Sequence, residues 1–182
     1  MKRRTFDKLL SSVGFVMTAV LVVAGILLMW GYSFANSNVH NQLAEQKIYF
    51  PPLGSKALAS SEIGPYLNQY AGQQLLTGPQ AEAYANHFID VHLSEVANGQ
   101  TYAQVSTQAQ ADPTNTKLAG EVNTLFKGET LRGLLLEAYA FWQIGQIALD
   151  AAIAAFTGAF IMLVLSVLGL IHLSRASPKA EI

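Results

Sequence analysis

The chain has 182 residues, of which 51% are hydrophobic and 13% charged, with a formal net charge of -1 and no cysteine. Its middle basic residues, Lys47, Lys56, Lys117, Lys127 and Arg132, are scattered, so no nucleic acid is expected as a partner, because phosphate recognition needs clustered Lys and Arg. The missing cysteine removes disulfides, zinc-thiolate sites and thiol nucleophiles together.

A basic N-terminal segment, 1–8, carries Lys2, Arg3, Arg4 and Lys8 and leads into an uncharged apolar run, 9–31. A helix of this length spans about 35 Å at about 1.5 Å per residue, enough to cross a hydrocarbon core of about 30 Å. A second such run, 151–173, precedes a tail, 174–182, with Arg175 and Lys179. The segment between the runs, 32–150, holds ten carboxylates against five Lys or Arg, whereas the two ends hold six basic and two acidic residues. The expected fold is therefore an all-α membrane protein. It has two transmembrane helices, both termini in the cytoplasm of a bacterium, and a small helical domain outside the plasma membrane. Arg3-Arg4 and the small-x-small step Ser33-Phe34-Ala35 also fit an export signal cleaved after Ala35. The apolar run exceeds a signal-peptide core, and Trp30 and Tyr32 sit where an interfacial anchor belongs, which favours retention.

In chain order, the first helix can continue through Asn36 to Gln46 until Phe50-Pro51-Pro52-Leu53-Gly54 breaks it. A short helix is expected over 63–70. Thr77-Gly78-Pro79-Gln80 reads as a capping box opening a helix to Val96, with Gly99 as its stop. Thr101 and Gln104 repeat the cap for a helix to Gln110, and Asp112-Pro113 is expected to start another toward Phe126. No stretch alternates in the strand pattern. From Glu129 no proline occurs until Pro178, so a helix of about 45 residues at 1.5 Å each can start well outside the bilayer, with Gly133 and Gly145 its weak points. Its outer half carries Leu131, Leu134, Leu135, Ala138, Phe141 and Trp142, an apolar set that the other helices or a second protomer must cover.

On that helix Arg132, Tyr139, Gln143, Gln146, Asp150 and Thr157 follow spacings that place them in one polar seam descending toward the outer leaflet. Two readings stand: a hydrated vestibule with Asp150 as an ion or proton site, or a wet interface against Asn36, Asn38, His40 and Asn41 or a neighbour's copy of them. Ala148, Ala151, Ala152, Ala154, Ala155, Gly158 and Ala159 form small-xxx-small pairs suited to close helix packing in lipid; Gly14 with Thr18 makes a weaker pair on the first span. His87 and His92, five apart, miss the spacing of a metal clip. His92 is expected half-buried beside Tyr84 and Phe88, and His87 in a surface pair with Asp90. No nucleophile elbow, paired carboxylates, phosphate loop or dinucleotide fingerprint occurs, so no catalytic residue, metal or cofactor is expected and the chain reads as a non-enzyme.

The segments Ala71-Gly-Gln-Gln, Gly78-Pro-Gln-Ala-Glu-Ala-Tyr-Ala-Asn-His-Phe-Ile, Gly99-Gln-Thr-Tyr-Ala-Gln-Val-Ser and Thr124-Leu-Phe-Lys-Gly-Glu-Thr-Leu-Arg-Gly-Leu-Leu-Leu, with the flanking spans, resemble an uncharacterised actinobacterial two-span membrane protein family. The resemblance covers most of the chain. That family has no established activity, so the resemblance implies no site residues. Some members carry the label of aromatic ring-opening dioxygenase, which the residues here do not support, since no His and carboxylate set is clustered to hold non-haem iron. The functional expectation is an outer interaction or assembly module, with the lipid bilayer and a homo-oligomer or larger membrane complex as partners. The alternatives are an oligomeric pore or transport accessory that uses the polar seam, and an envelope enzyme or lipid-binding cap with a pocket near His92.

Overall fold

A computed structural model describes residues 3–175; Lys2, Pro178 and Lys179 lie outside the described residues. The described residues are mostly helical with no strand, and the one β-type pairing among them is an isolated antiparallel bridge between Tyr49 and Gln74. Six α-helices follow in order: α1 (Arg3–Gln46), α2 (Gly64–Leu67), α3 (Gly78–Tyr84), α4 (Asp90–Val96), α5 (Tyr102–Ala111) and α6 (Thr116–Arg175). Helices α1 and α6 are both long and apolar enough to cross a membrane. The chain divides into two compact units, one made of the residues up to Phe34 with those from Ile144 onward, the other of Ala35–Gln143.

In the first unit the apolar stretches of α1 and α6 pair antiparallel. Ser11, Gly14 and Gly25 are buried along α1, and Ala152, Ala159 and Ser166 along α6, at the three- and four-residue steps of a helix-helix seam. The pairing is reciprocal. Each helix carries a Ser-x-x-Gly step: Ser11 packs against Gly169, and Ser166 against Gly14. Further along, the ring of Phe156 lies 2.8 Å from where a Cβ on Gly25 would stand, and the end of Leu21 lies 3.5 Å from where one on Gly158 would stand. Glycine is required where Ser166 and Phe156 press on backbone, because any side chain would displace them.

The second unit is a helical cap with its own core. Leu43, Leu67, Leu75, Val105, Leu125 and Leu135 are fully buried, each worth about 1.5–3 kcal/mol of apolar transfer. Phe50 packs between Tyr70 and Tyr84, with ring centroids 5.2 and 5.3 Å away. The expected caps form. Thr77 and Thr101 each accept from the backbone N–H of the glutamine three residues on, and that glutamine reaches back to the threonine's own N–H. Gln80 adds more: its Oε1 accepts from Leu76 and Thr77 N–H at 2.8 and 3.1 Å, while its Nε2 donates to Gln73 at 3.1 Å. Gly99, at φ 77°, closes α4 by donating to the Ser94 carbonyl at 2.7 Å.

Two expectations about boundaries are corrected. Asp112-Pro113 does not open a helix; Asp112 instead ties a turn by accepting from Thr114 and Asn115 at 3.0 and 3.2 Å. Asn115 is the cap, accepting from Leu118 N–H at 3.2 Å. The two helices expected on either side of Gly128 are one, since α6 runs unbroken for 60 residues, about 90 Å at 1.5 Å each, through Gly128, Gly133 and Gly145. Gly128 is a point of close approach to Leu93. The helix expected from Thr77 to Val96 is continuous but contains a π turn over Ala85–Ile89 between α3 and α4.

Candidate functional site

The π turn rearranges the residues of its segment. A π turn rotates later side chains relative to a regular helix, and here His87 stacks on Tyr66, centroids 3.5 Å apart and planes within 2°. Asp90, expected beside His87, instead faces Arg132, whose Nε lies 3.6 Å from its carboxylate. Asn86 accepts from Arg132 Nη2 at 3.3 Å and donates to Glu82 at 2.9 Å, and Glu129 lies 3.6 Å from Arg132 Nη1. One guanidinium on α6 thus meets the Asn86 amide of the π turn and the Asp90 carboxylate at the start of α4, while Glu129, its other neighbour, is on α6 itself. Both ion contacts exceed hydrogen-bond length and Asp90 and Glu129 are about half exposed, so each is worth about 1 kcal/mol or less. The cluster ties α6 to the π turn and to the start of α4.

His92 is exposed, not half-buried. It lies against Phe88, with centroids 4.5 Å apart, and its Nδ1–H donates to the Phe88 carbonyl at 2.6 Å. Tyr84 extends this aromatic row, and burial raises its hydroxyl pKa above the ordinary value of 10.0. Among the described residues, no group of three or more His, Asp or Glu gathers to hold a metal ion.

The hydrogen bonds of Tyr139, Gln143 and Thr157 are made within α6 itself. Tyr139 accepts at its hydroxyl from Gln143 Nε2 at 3.1 Å and stacks on Trp142, whereas Gln146 is half-buried and Asp150 exposed. Thr157 closes its hydroxyl on the Ile153 carbonyl of its own helix at 2.8 Å. Of the small residues on α6, Ala152 and Ala159 are buried and Gly158 meets Leu21, while Ala148, Ala151 and Ala155 are half-buried.

Polar groups that periodicity alone did not single out gather at the N-terminal end of α1. A cleft of about 300 Å³ is lined there by Asp7, Leu10, Ser11, Gly14, Met162, Leu165, Ser166 and Gly169. Asp7 Oδ2 is buried, makes no hydrogen bond, and stands 3.9 Å from His172 Nε2. Ser166 donates to the Met162 carbonyl at 2.7 Å, and Thr18 to Gly14 at 2.9 Å, so both hydroxyls are closed on their own helices. The repeated Ser-x-x-Gly step was the available signal. Pairing the two copies requires the antiparallel register, which only the folded chain supplies.

No protein-family model, curated protein or solved structure matches this chain.

Proposed function

We propose that the chain is a two-span bacterial plasma-membrane protein, both termini cytoplasmic, whose helical outer cap is an interaction and assembly module. It works as a homo-oligomer or as an accessory subunit of a larger envelope complex. Membrane insertion is supported by how little of the apolar surface the chain covers for itself: 11% of the most apolar window of α1 and 17% of that of α6 are buried. An apolar patch this large in water drives aggregation, and lipid covers it without cost. A retained first span is supported by the continuity of α1 through the buried Ala35, since cleavage there would cut a helix in its hydrogen-bonded body. This is also the architecture expected of the actinobacterial family that the sequence resembles.

The observation carrying the assembly reading is on the cap part of α6. The cap takes Leu135, Ala138 and Trp142 against its core but leaves Leu131 and Leu134 at 36% and 54% exposure. Outside the bilayer these leucines have no lipid to cover them, so another protein surface is their natural cover. Crosslinking in native membranes followed by native mass spectrometry is expected to give a homo-oligomer or one defined partner. Leu134→Gln is expected to reduce that species several-fold while changing cap stability by about 0.5 kcal/mol or less, as for exposed positions generally. A lone monomer by both methods overturns the proposal.

A further inference from the structure

The first turns of α1 and the last turns of α6 border an open cleft of about 510 Å³ lined by Arg4, Thr5, Lys8, Leu170, Leu173 and Ser174. Arg4 and Lys8 are four apart on one helical face, so both cations reach the same opening. Their charges are uncompensated among the described residues. The nearby carboxylate, Asp7, lies toward His172, and neither Arg4 nor Lys8 has an ion pair or hydrogen bond there. Ser174 donates its hydroxyl proton to the Ile171 carbonyl at 2.7 Å, which leaves the Thr5 hydroxyl and the two cations as the donor set. The remaining lining is apolar, and Leu170 is 42% exposed.

We infer that this cleft holds the phosphate of an anionic membrane lipid, with Arg4 and Lys8 on the phosphate oxygens and Leu170 and Leu173 against the first carbons of an acyl chain. Three features of the cleft select this occupant. Two unpaired cations within reach of one opening suit a phosphate diester. A leucine floor is of no use to an inorganic ion but covers a chain attached to the headgroup. The position at the ends of two apolar helices is headgroup depth, where Lys and Arg extend toward anionic lipid. The inference rests on the reading of α1 and α6 as membrane spans.

The test uses the full chain purified in neutral detergent, with lipid adducts measured by native mass spectrometry against phosphatidylglycerol and phosphatidylcholine. Phosphatidylglycerol is expected to be retained preferentially. Replacing both cations, Arg4→Gln with Lys8→Gln, is expected to weaken its binding about 25-fold, since each basic residue near the headgroups is worth about fivefold, or about 1 kcal/mol. Both positions are exposed, so the fold survives the change. Arg3→Gln, outside the cleft, is expected to change little. Equal uptake of the two lipids, or an Arg3→Gln loss as large as that of the double variant, overturns the site in favour of diffuse surface charge. Displacement of phosphatidylglycerol by millimolar inorganic phosphate also overturns it, assigning the cleft to a soluble anion. Carbonate extraction from native membranes tests the span reading separately. A carbonate-resistant chain without lipid preference overturns the cleft and leaves the spans standing.

Discussion

Gly78 is where one atom most constrains the cap. It begins α3 with its Cα against the indole of Trp142, and a Cβ there would stand 2.5 Å from Cγ and 2.6 Å from Cβ of that side chain. The obstacle is the base of the indole, so a rotamer change cannot relieve it, and Gly78→Ala is expected to cost about 1–3 kcal/mol. Calorimetry should show a lower Tm for the cap; an unchanged Tm would mean that α3 can lift off Trp142. Tyr84 gives a pH signature. Its pKa is raised by burial, so the fold prefers the neutral phenol, and its stabilisation is intact below about pH 10, the unfolded value. Above that pH the unfolded chain ionises first, and the stabilisation is lost until the raised folded pKa is passed. Tyr84→Phe is therefore expected to lose less stability than the wild type between about pH 9 and pH 11, as read by thermal melts across that range. Local chemistry made Thr77, Thr101 and Gly99 legible in the sequence, because a cap is decided within four residues. The partners of His87 and Asp90 were not legible, because Tyr66 and Arg132 reach them from other elements.

At the scale of elements, glycine was the least transparent residue. Gly128, to which its sequence context gave no role, is a notch for Leu93, and α6 is one helix where two were expected. The π turn was equally hidden: nothing in Ala85–Ile89 departs from helical composition, and the turn is visible only through its contacts with Tyr66 and Arg132. In the span pair, Gly14→Leu puts a branched side chain where Ser166 now sits and is expected to splay the helices. The cysteine-free background makes this measurable, because Leu21→Cys with Gly158→Cys gives a reporter pair where the Leu21 side chain faces Gly158, without competing thiols. Oxidative crosslinking of that pair should slow several-fold when Gly14→Leu is added; an unchanged rate would show that the spans pair independently of the serine-glycine step.

For the molecule as a whole, the two apolar runs and the helical middle were legible because length, charge asymmetry and caps are properties of sequence alone. The polar seam on α6 was legible as a spacing, whereas the partners of its members were not: Arg132 meets Asn86 of the π turn and Thr157 closes on its own backbone. The charge asymmetry leads to a topology prediction: a reporter fused after Ile182 should score cytoplasmic and one inserted at the exposed Asn98–Gly99 turn should score external. The reverse pattern would put the cap inside the cell. The paired Ser-x-x-Gly steps also bear on how the spans can move. Ser11 and Ser166 sit in notches on opposite helices, each the mirror of the other, like two teeth meshed head to tail. An axial slide by one turn would carry Ser166 from Gly14 onto Leu10 or Thr18, and Ser11 from Gly169 onto Leu165 or Leu173, where no notch exists. The two steps thus fix the register of the helix pair, since a slide in either direction sets both serines against side chains at once.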